Sequence, residues 1–195
     1  MCVLRYSPVM VAMCALFSFV QDVSASMVVR HMNLQQMCDA AGRIFRGTVL
    51  GASEGTVAAG GGQLSTIVYR IRVDEQFKGS FEIVKGQRIA TLQMVQAGKR
   101  PQLGFVRHFP VLDAMPALHE GHDYLILATR PSAAGLSTTV GLKQGVFKLA
   151  GKAGQETAVN GNHNVGLNAG AAISAARGPV SYSSLRASIQ RFVGR

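Results

Sequence analysis

A closed five-stranded β-barrel, with a short helix at its start and another at its end, is the fold this sequence predicts. Three observations carry that reading. Apolar and polar residues alternate through most of five separate stretches after Ala41, the period-two signature of strands with one wet face. Glycines interrupt those stretches at spacings that suit bulges and bends, which strands need in order to curl shut. Helical spacing of apolar residues is confined to the segments before the first stretch and after the last.

The chain opens with a targeting segment. Met1–Tyr6 carries one charge, Arg5; an apolar run spans Val9–Val20; and Val23-Ser24-Ala25 supplies small or permissive residues. That layout predicts a secretory signal peptide over residues 1–25, cut after Ala25. The apolar run is shorter than the roughly 20 residues that span a bilayer, so no transmembrane segment is expected after cleavage. Met13 is too bulky to precede a lipid-modified Cys14. The protein is therefore expected outside the cytoplasm, in the periplasm or beyond the cell.

Export shapes what can hold the chain together. Cys2 and Cys14 leave with the signal, so Cys38 has no internal disulfide partner, and stability has to come from an apolar core. Arg5 and Asp22 leave together, which keeps the formal net charge at +10. A basic exported protein is drawn towards anionic partners, although its Lys and Arg residues are scattered singly rather than clustered.

The elements follow in order. A helix over Met32–Ala41 places Cys38 on a face with Leu34 and Ala41, where a thiol is buried and inert. Ile44–Leu50 reads as the first strand and Gly51–Gly62 as a flexible loop. Leu64–Phe77 is the clearest strand, with Ile67, Tyr69, Ile71 and Val73 on one face and Arg70, Arg72 and Asp74 on the other. Lys78-Gly79 ends it, and Gln87–Val95 is the third strand. A basic segment, Gln96–Pro101, and an irregular stretch broken by Pro110 and Pro116 come next. Asp123–Thr129 is nearly all apolar, as expected of a strand buried on both sides. Leu136–Leu149 reads as a fifth strand bent at Gly141 and Gly145. This domain spans residues 26–150. Residues 151–180, rich in Gly, Ala and Asn, read as a long loop. Residues 181–195 form a last helix, with Leu185, Ile189 and Phe192/Val193 on its docking face. Curled, glycine-bent strands in a unit of this size suit a Greek-key barrel of OB type.

Several stretches carry a resemblance. "DAAGRIFRGTVLGAS", "IVYRIRVDEQFKGS", "GQRIATLQM", "LHEGHDYLILAT" and "GLKQGVFKL" resemble a widespread group of exported bacterial proteins, most without an assigned activity. Their order is also similar to netrin-like modules and to the N-terminal domain of tissue inhibitors of metalloproteinases, which are OB-type barrels. The resemblance covers about Cys38–Leu149 and implies a fold rather than a chemistry. Those inhibitors use a cysteine at the mature N-terminus, fixed by disulfides, to reach the protease zinc. Here the mature chain would begin Ser26-Met27, and that mechanism does not carry over.

The stretch closest to chemistry is His119-Glu120-Gly121-His122. A zinc protease needs H-E-x-x-H on a helix, so that both imidazoles share one side. The spacing here is three rather than four, and Gly121 follows the breaker Pro116. His108, Asp113 or the more distant His163 would have to complete a ligand set. The histidines read as surface groups of a turn, and neither a metal nor another cofactor is expected. Gly60–Gly62 matches no phosphate-binding loop. Asp74 and Glu75 would point to opposite faces of their strand. Arg70 and Arg72, with Arg88 near them, would make a weak basic binding face, but single-strand binding also needs exposed aromatic stacking platforms. Tyr69 has inward parity and the chain has no Trp. The expected function is a non-catalytic binding or interaction module whose partner is another exported protein or an anionic envelope component. The alternatives are a metal-dependent or hydrolytic enzyme using His119, Glu120 and His122, and a module binding single-stranded nucleic acid or another polyanion.

Overall fold

The structure, a computed structural model, describes residues 30–59, 61–95, 115–167 and 177–194. Residues 1–25, the Gln96–Pro101 segment, His108 and Asp113 lie outside the described residues. Among the described residues, no helix is long and apolar enough to cross a membrane.

Asn33 starts the first helix, α1 (Leu34–Ala40). Its side chain accepts from the Gln36 N–H while the Gln36 side chain accepts from the Asn33 N–H, so two otherwise orphaned donors are satisfied reciprocally. Spacings of three and four residues put Leu34, Met37 and Cys38 on one buried face.

The chain then builds one antiparallel sheet from β1 (Arg43–Ala59), β2 (Gly62–Lys78), β3 (Glu82–Val84), β4 (Gln87–Val95), β5 (Asp123–Ala128), β6 (Val146–Ala150), β7 (Thr157–Asn160) and β8 (Val180–Ser181). The strand order is β3-β4-β2-β1-β5-β6-β7-β8. A final helix, α2 (Tyr182–Val193), follows β8 directly.

This corrects the five-stranded closed barrel of OB type. The sheet has eight strands, and among the described residues no ladder joins its two edges. It does curl: the Ser137 N–H donates to Gln93 O at 2.9 Å, and Arg43 Nη2 reaches both Thr91 O and Ser137 Oγ at 3.1 Å. Closure needs a continuous, staggered ladder around the circumference. Here the two sides meet through single contacts, and β6–β8 run on to pack beside the helices.

The strands beyond the expected five are β3, β7 and β8, and two expected elements are also redrawn. Gly51–Gly62, expected as a loop, instead prolongs β1 and β2 into a hairpin paired from Gly51↔Arg70 to Ala59↔Gly62. Glycine and alanine lower strand propensity, but a partner strand already in register overrides that preference. Leu136–Leu149, expected as one strand, is broken: Thr139 makes a lone bridge to Ala128, Leu142–Gly145 winds as a 3-10 turn, and only Val146–Ala150 joins the sheet. The stretch read from composition as a loop also holds β7. After it, Asn160 and Asn164 each accept the other's backbone N–H, at 2.8 and 2.9 Å, which fixes the following turn.

β5 sits between two cores, as its unbroken apolar run predicts. Leu125 and Leu127 join Leu34, Met37, Ile44, Phe147, Leu185 and Ile189 beneath the two helices. Tyr124 and Ile126 face the other way, among Phe45, Tyr69, Ile71, Leu92 and Met94 inside the curl. Cys38 is buried in the first core, and burial pushes its thiol up to about 12, with Asp39 adding to the rise and Lys78 opposing it.

Candidate functional site

The His119–His122 stretch is a β-turn. The His122 N–H donates to His119 O at 3.2 Å, and Gly121 occupies the third position with φ +75°. Glu120 keeps a negative φ, so the turn is type II, which calls for glycine at that position. The turn is anchored to β1 by Gly121 N–H to Val49 O at 2.9 Å and Val49 N–H to His122 O at 3.1 Å. Two buried tyrosines also hold it, Tyr124 Oη accepting from His119 N–H and Tyr69 Oη from Leu118 N–H. His119, Glu120 and His122 are all exposed. Among the described residues no three His, Cys, Asp or Glu side chains gather as a metal site, and His163 sits on a separate turn.

Of the three arginines singled out as a basic face, Arg70 and Arg72 share a face of β2, and Arg88 is not on it. Register pairs Arg72 with Ile89, so Arg88, one residue earlier on β4, has the opposite parity. Arg72 donates to Asp74 and Thr48, which neutralises it locally. Arg70 is exposed and has no ion-pair partner among the described residues. It stands with Val68 and Leu50–Ser53 around a shallow groove of about 200 Å³.

That groove lies where the β1–β2 hairpin leaves the body. β5 pairs with β1 only over Arg43–Thr48, and β4 with β2 only from Thr66 to Arg72. Beyond them the two strands form an arm. Among the described residues no strand pairs with the outer edge of Leu50–Ala58, and Leu50 and Leu64 are exposed apolar residues there.

A second, polar site was not legible in the sequence. Arg46 and Thr48 of β1, Arg72, Asp74 and Glu75 of β2, Asp123 of β5, and Tyr182 and Arg186 of α2 line an open cleft of about 720 Å³. The carboxylates Asp74 and Glu75 both reach it, contrary to the opposite faces expected. Between the pairs Gly47↔Val73 and Arg46↔Glu75 the register shifts, leaving Asp74 as an extra residue in β2. Gly47 permits the close approach, since a Cβ there would lie 2.2 Å from Arg72 O.

The cleft is a chain of charge-assisted bonds. Arg46 Nη2 donates to Glu156 at 2.9 Å and to Asp123 at 3.4 Å, with its guanidinium 4.9 Å from the centre of the Tyr182 ring. Tyr182 Oη donates to Glu75 at 2.7 Å, and Arg186 Nε donates to the other oxygen of the same carboxylate. Thr48 Oγ1 lies 2.7 Å from Asp123 and 2.9 Å from Asp74, and its single proton serves one of them at a time. Burial alone would lower Arg46, but the hydrogen bond and charge of Glu156, with Asp123, raise it above its ordinary value. The Arg46 bond holds Glu156 below the usual carboxylate range. Burial, then the Glu75 bond and charge, push the Tyr182 hydroxyl above its ordinary value.

Each of these four carboxylates already has an arginine bound to it, so the network's evident work is to dock α2 and the residues before β7 onto the outer face of β1 and β2. Tyr182 and Arg186, four apart at the start of a helix, share a face, but that spacing names no partner. Their partner Glu75 lies 107 residues from Tyr182. Comparison with known proteins finds no matching family model, no matching curated protein and no matching solved structure.

Proposed function

We propose that this is an exported, non-catalytic binding module that takes up an extended segment of another exported protein as an added strand on the outer edge of its β1–β2 arm. The observation behind this reading is the edge Leu50–Ala58. Exposed edges are ordinarily blunted by lysine, proline or a covering element. This one contains neither lysine nor proline and a single charged residue, Glu54, and Gly51, Ala52, Ser53, Gly55 and Ala58 keep the side chains along it small. Strand addition draws affinity from main-chain hydrogen bonds and specificity from pockets for alternate side chains. The groove beside Leu50, Val68 and Arg70 supplies one such pocket at the arm's base. Export rests on Arg5, the apolar run Val9–Val20 and the cleavage residues ending at Ala25, together with the resemblance to exported bacterial proteins.

The test uses the alternation of backbone direction along β1. Of the neighbours Thr56 and Val57, one directs its N–H towards β2 and the other towards the open edge. Thr56→Pro and Val57→Pro therefore remove donors on opposite sides. The partner is captured from the exported fraction and its binding segment synthesised. Binding of that peptide must protect Leu50–Ala58 amides from hydrogen exchange, and the outward proline must abolish it without lowering thermal stability. If protection falls elsewhere, or the outward proline binds like wild type, strand addition is wrong.

A further inference from the structure

We propose that the turn ahead of β5 is a two-imidazole capture site for a late first-row divalent metal ion, Cu(II) above all, held by His119 and His122. The inference is independent of strand addition at the arm. Three features of the turn combine to make it.

The first is spacing. Positions one and four of a β-turn have Cα atoms less than about 7 Å apart, which brings their side chains together without a helix. The ring centres of His119 and His122 stand 5.8 Å apart. A metal at about 2.0–2.1 Å from each ring nitrogen lies roughly 3 Å from each ring centre, so two imidazoles on one ion have centres about 4.5–6.5 Å apart. The observed separation falls inside that window.

The second is tautomer. His122 Nδ1 lies 3.1 Å from Glu120 O. A carbonyl oxygen only accepts, so in the neutral ring Nδ1 carries the proton, and Nε2 presents a bare lone pair. Metal-binding histidines are characteristically oriented in this way, donating the second nitrogen to a carbonyl or carboxylate. No hydrogen bond occupies the His119 ring nitrogens among the described residues, and both rings are exposed.

The third is rigidity. Hydrogen bonds to Val49, Tyr124 and Tyr69 fix the backbone on both sides of the pair, so binding orders little beyond two side-chain rotations. Asp123 is not a ligand, because Thr48 and Arg46 engage it in the polar cleft. Glu120 is turned towards the arm, its Oε2 3.9 Å from where a Cβ on Gly51 would be. Two imidazoles with water in the remaining positions suit Cu(II), which leads the Irving–Williams order for nitrogen ligands, with Ni(II) and Zn(II) weaker.

Isothermal titration of Cu(II) into the signal-free protein, with electron paramagnetic resonance of the loaded form, tests the site. One ion per chain and hyperfine splitting from two equivalent imidazole nitrogens are expected. His119→Ala and His122→Ala should each weaken binding at least about tenfold, the step expected for losing one of two nitrogen ligands. Glu120→Gln and His163→Ala should leave it unchanged. Circular dichroism confirms that each variant is folded. Absence of copper binding in the micromolar range, retention of binding in the His119→Ala/His122→Ala double variant, or equal loss on His163→Ala each overturns the proposal.

Discussion

Tyr182→Phe removes one hydroxyl and nothing else from the joint between α2 and β2. The ring keeps its place beneath the Arg46 guanidinium, at 4.9 Å, and the residue is only 5% exposed, so packing is conserved. The lost bond is Oη to Glu75 Oε2 at 2.7 Å. Hydrogen bonds to charged groups contribute about 1.5–3 kcal/mol, and the lower end applies here because Glu75 keeps Arg186 and some access to water. A loss of about 1–2 kcal/mol is expected. In a domain of this size each kcal/mol shifts the midpoint by about 2–4 °C, so Tm should fall by about 2–8 °C. Urea denaturation followed by far-ultraviolet circular dichroism suits a chain without tryptophan. Glu75→Gln and the double variant complete a cycle whose coupling should be about 1 kcal/mol, the general scale for neighbours sharing a bond. The pH dependence has a definite sign. The folded-state pKa of Tyr182 is raised above 10.0, so this contribution is fully present below that value and is lost as pH climbs through the folded pKa. Wild type should therefore lose its advantage over Tyr182→Phe as the hydroxyl ionises and fall below it in strong alkali, because burial and the Glu75 charge both oppose the phenolate. A coupling below about 0.3 kcal/mol, within the additivity of independent sites, would refute a stabilising Tyr182–Glu75 bond.

Three further outcomes follow from the cores, the bulge and the turn. Cys38 titrates at about 12 rather than 9.0, so its contribution is intact below pH 9 and fades between those values. The stability of wild type relative to Cys38→Ala should fall across that interval, and the native thiol should resist alkylation at neutral pH until the protein unfolds. Gly47→Ala forces a Cβ to within 2.2 Å of Arg72 O and should cost about 2 kcal/mol or more in urea melts, because backbone on both sides has to move. Gly121→Ala meets nothing within 4 Å and pays only for its φ of +75°, about 1–2 kcal/mol.

Much of the local structure was legible because it depends on neighbours in sequence. The apolar run of β5 announced burial on both faces. Leu185 and Ile189 announced the docking side of α2, and Gly121 after the breaker Pro116 announced a turn. Overall topology was harder to read. Period-two parity assumes regular pairing, and the single extra residue at Asp74 reverses which carboxylates share a face. The length of the hairpin arm depends on its paired partner, since residues such as Gly51, Gly55 and Ala58 carry no strand preference of their own. Whether a curled sheet closes is decided by contacts such as Ser137 with Gln93, between segments with no sequence relation. The polar cleft was invisible for the same reason: Arg46 and Glu156 stand 110 positions apart.

The double-sided burial of β5 has a consequence for how the molecule assembles. The β1–β2 hairpin is local and can form early, but neither hydrophobic interior has its centre until a strand from far along the chain inserts beside β1. Leu125 and Leu127 on one side, Tyr124 and Ile126 on the other, are delivered in that single event. The helical layer and the curled layer thus share one keystone and cannot mature separately. Pulling β5 away removes the centre of both cores at once.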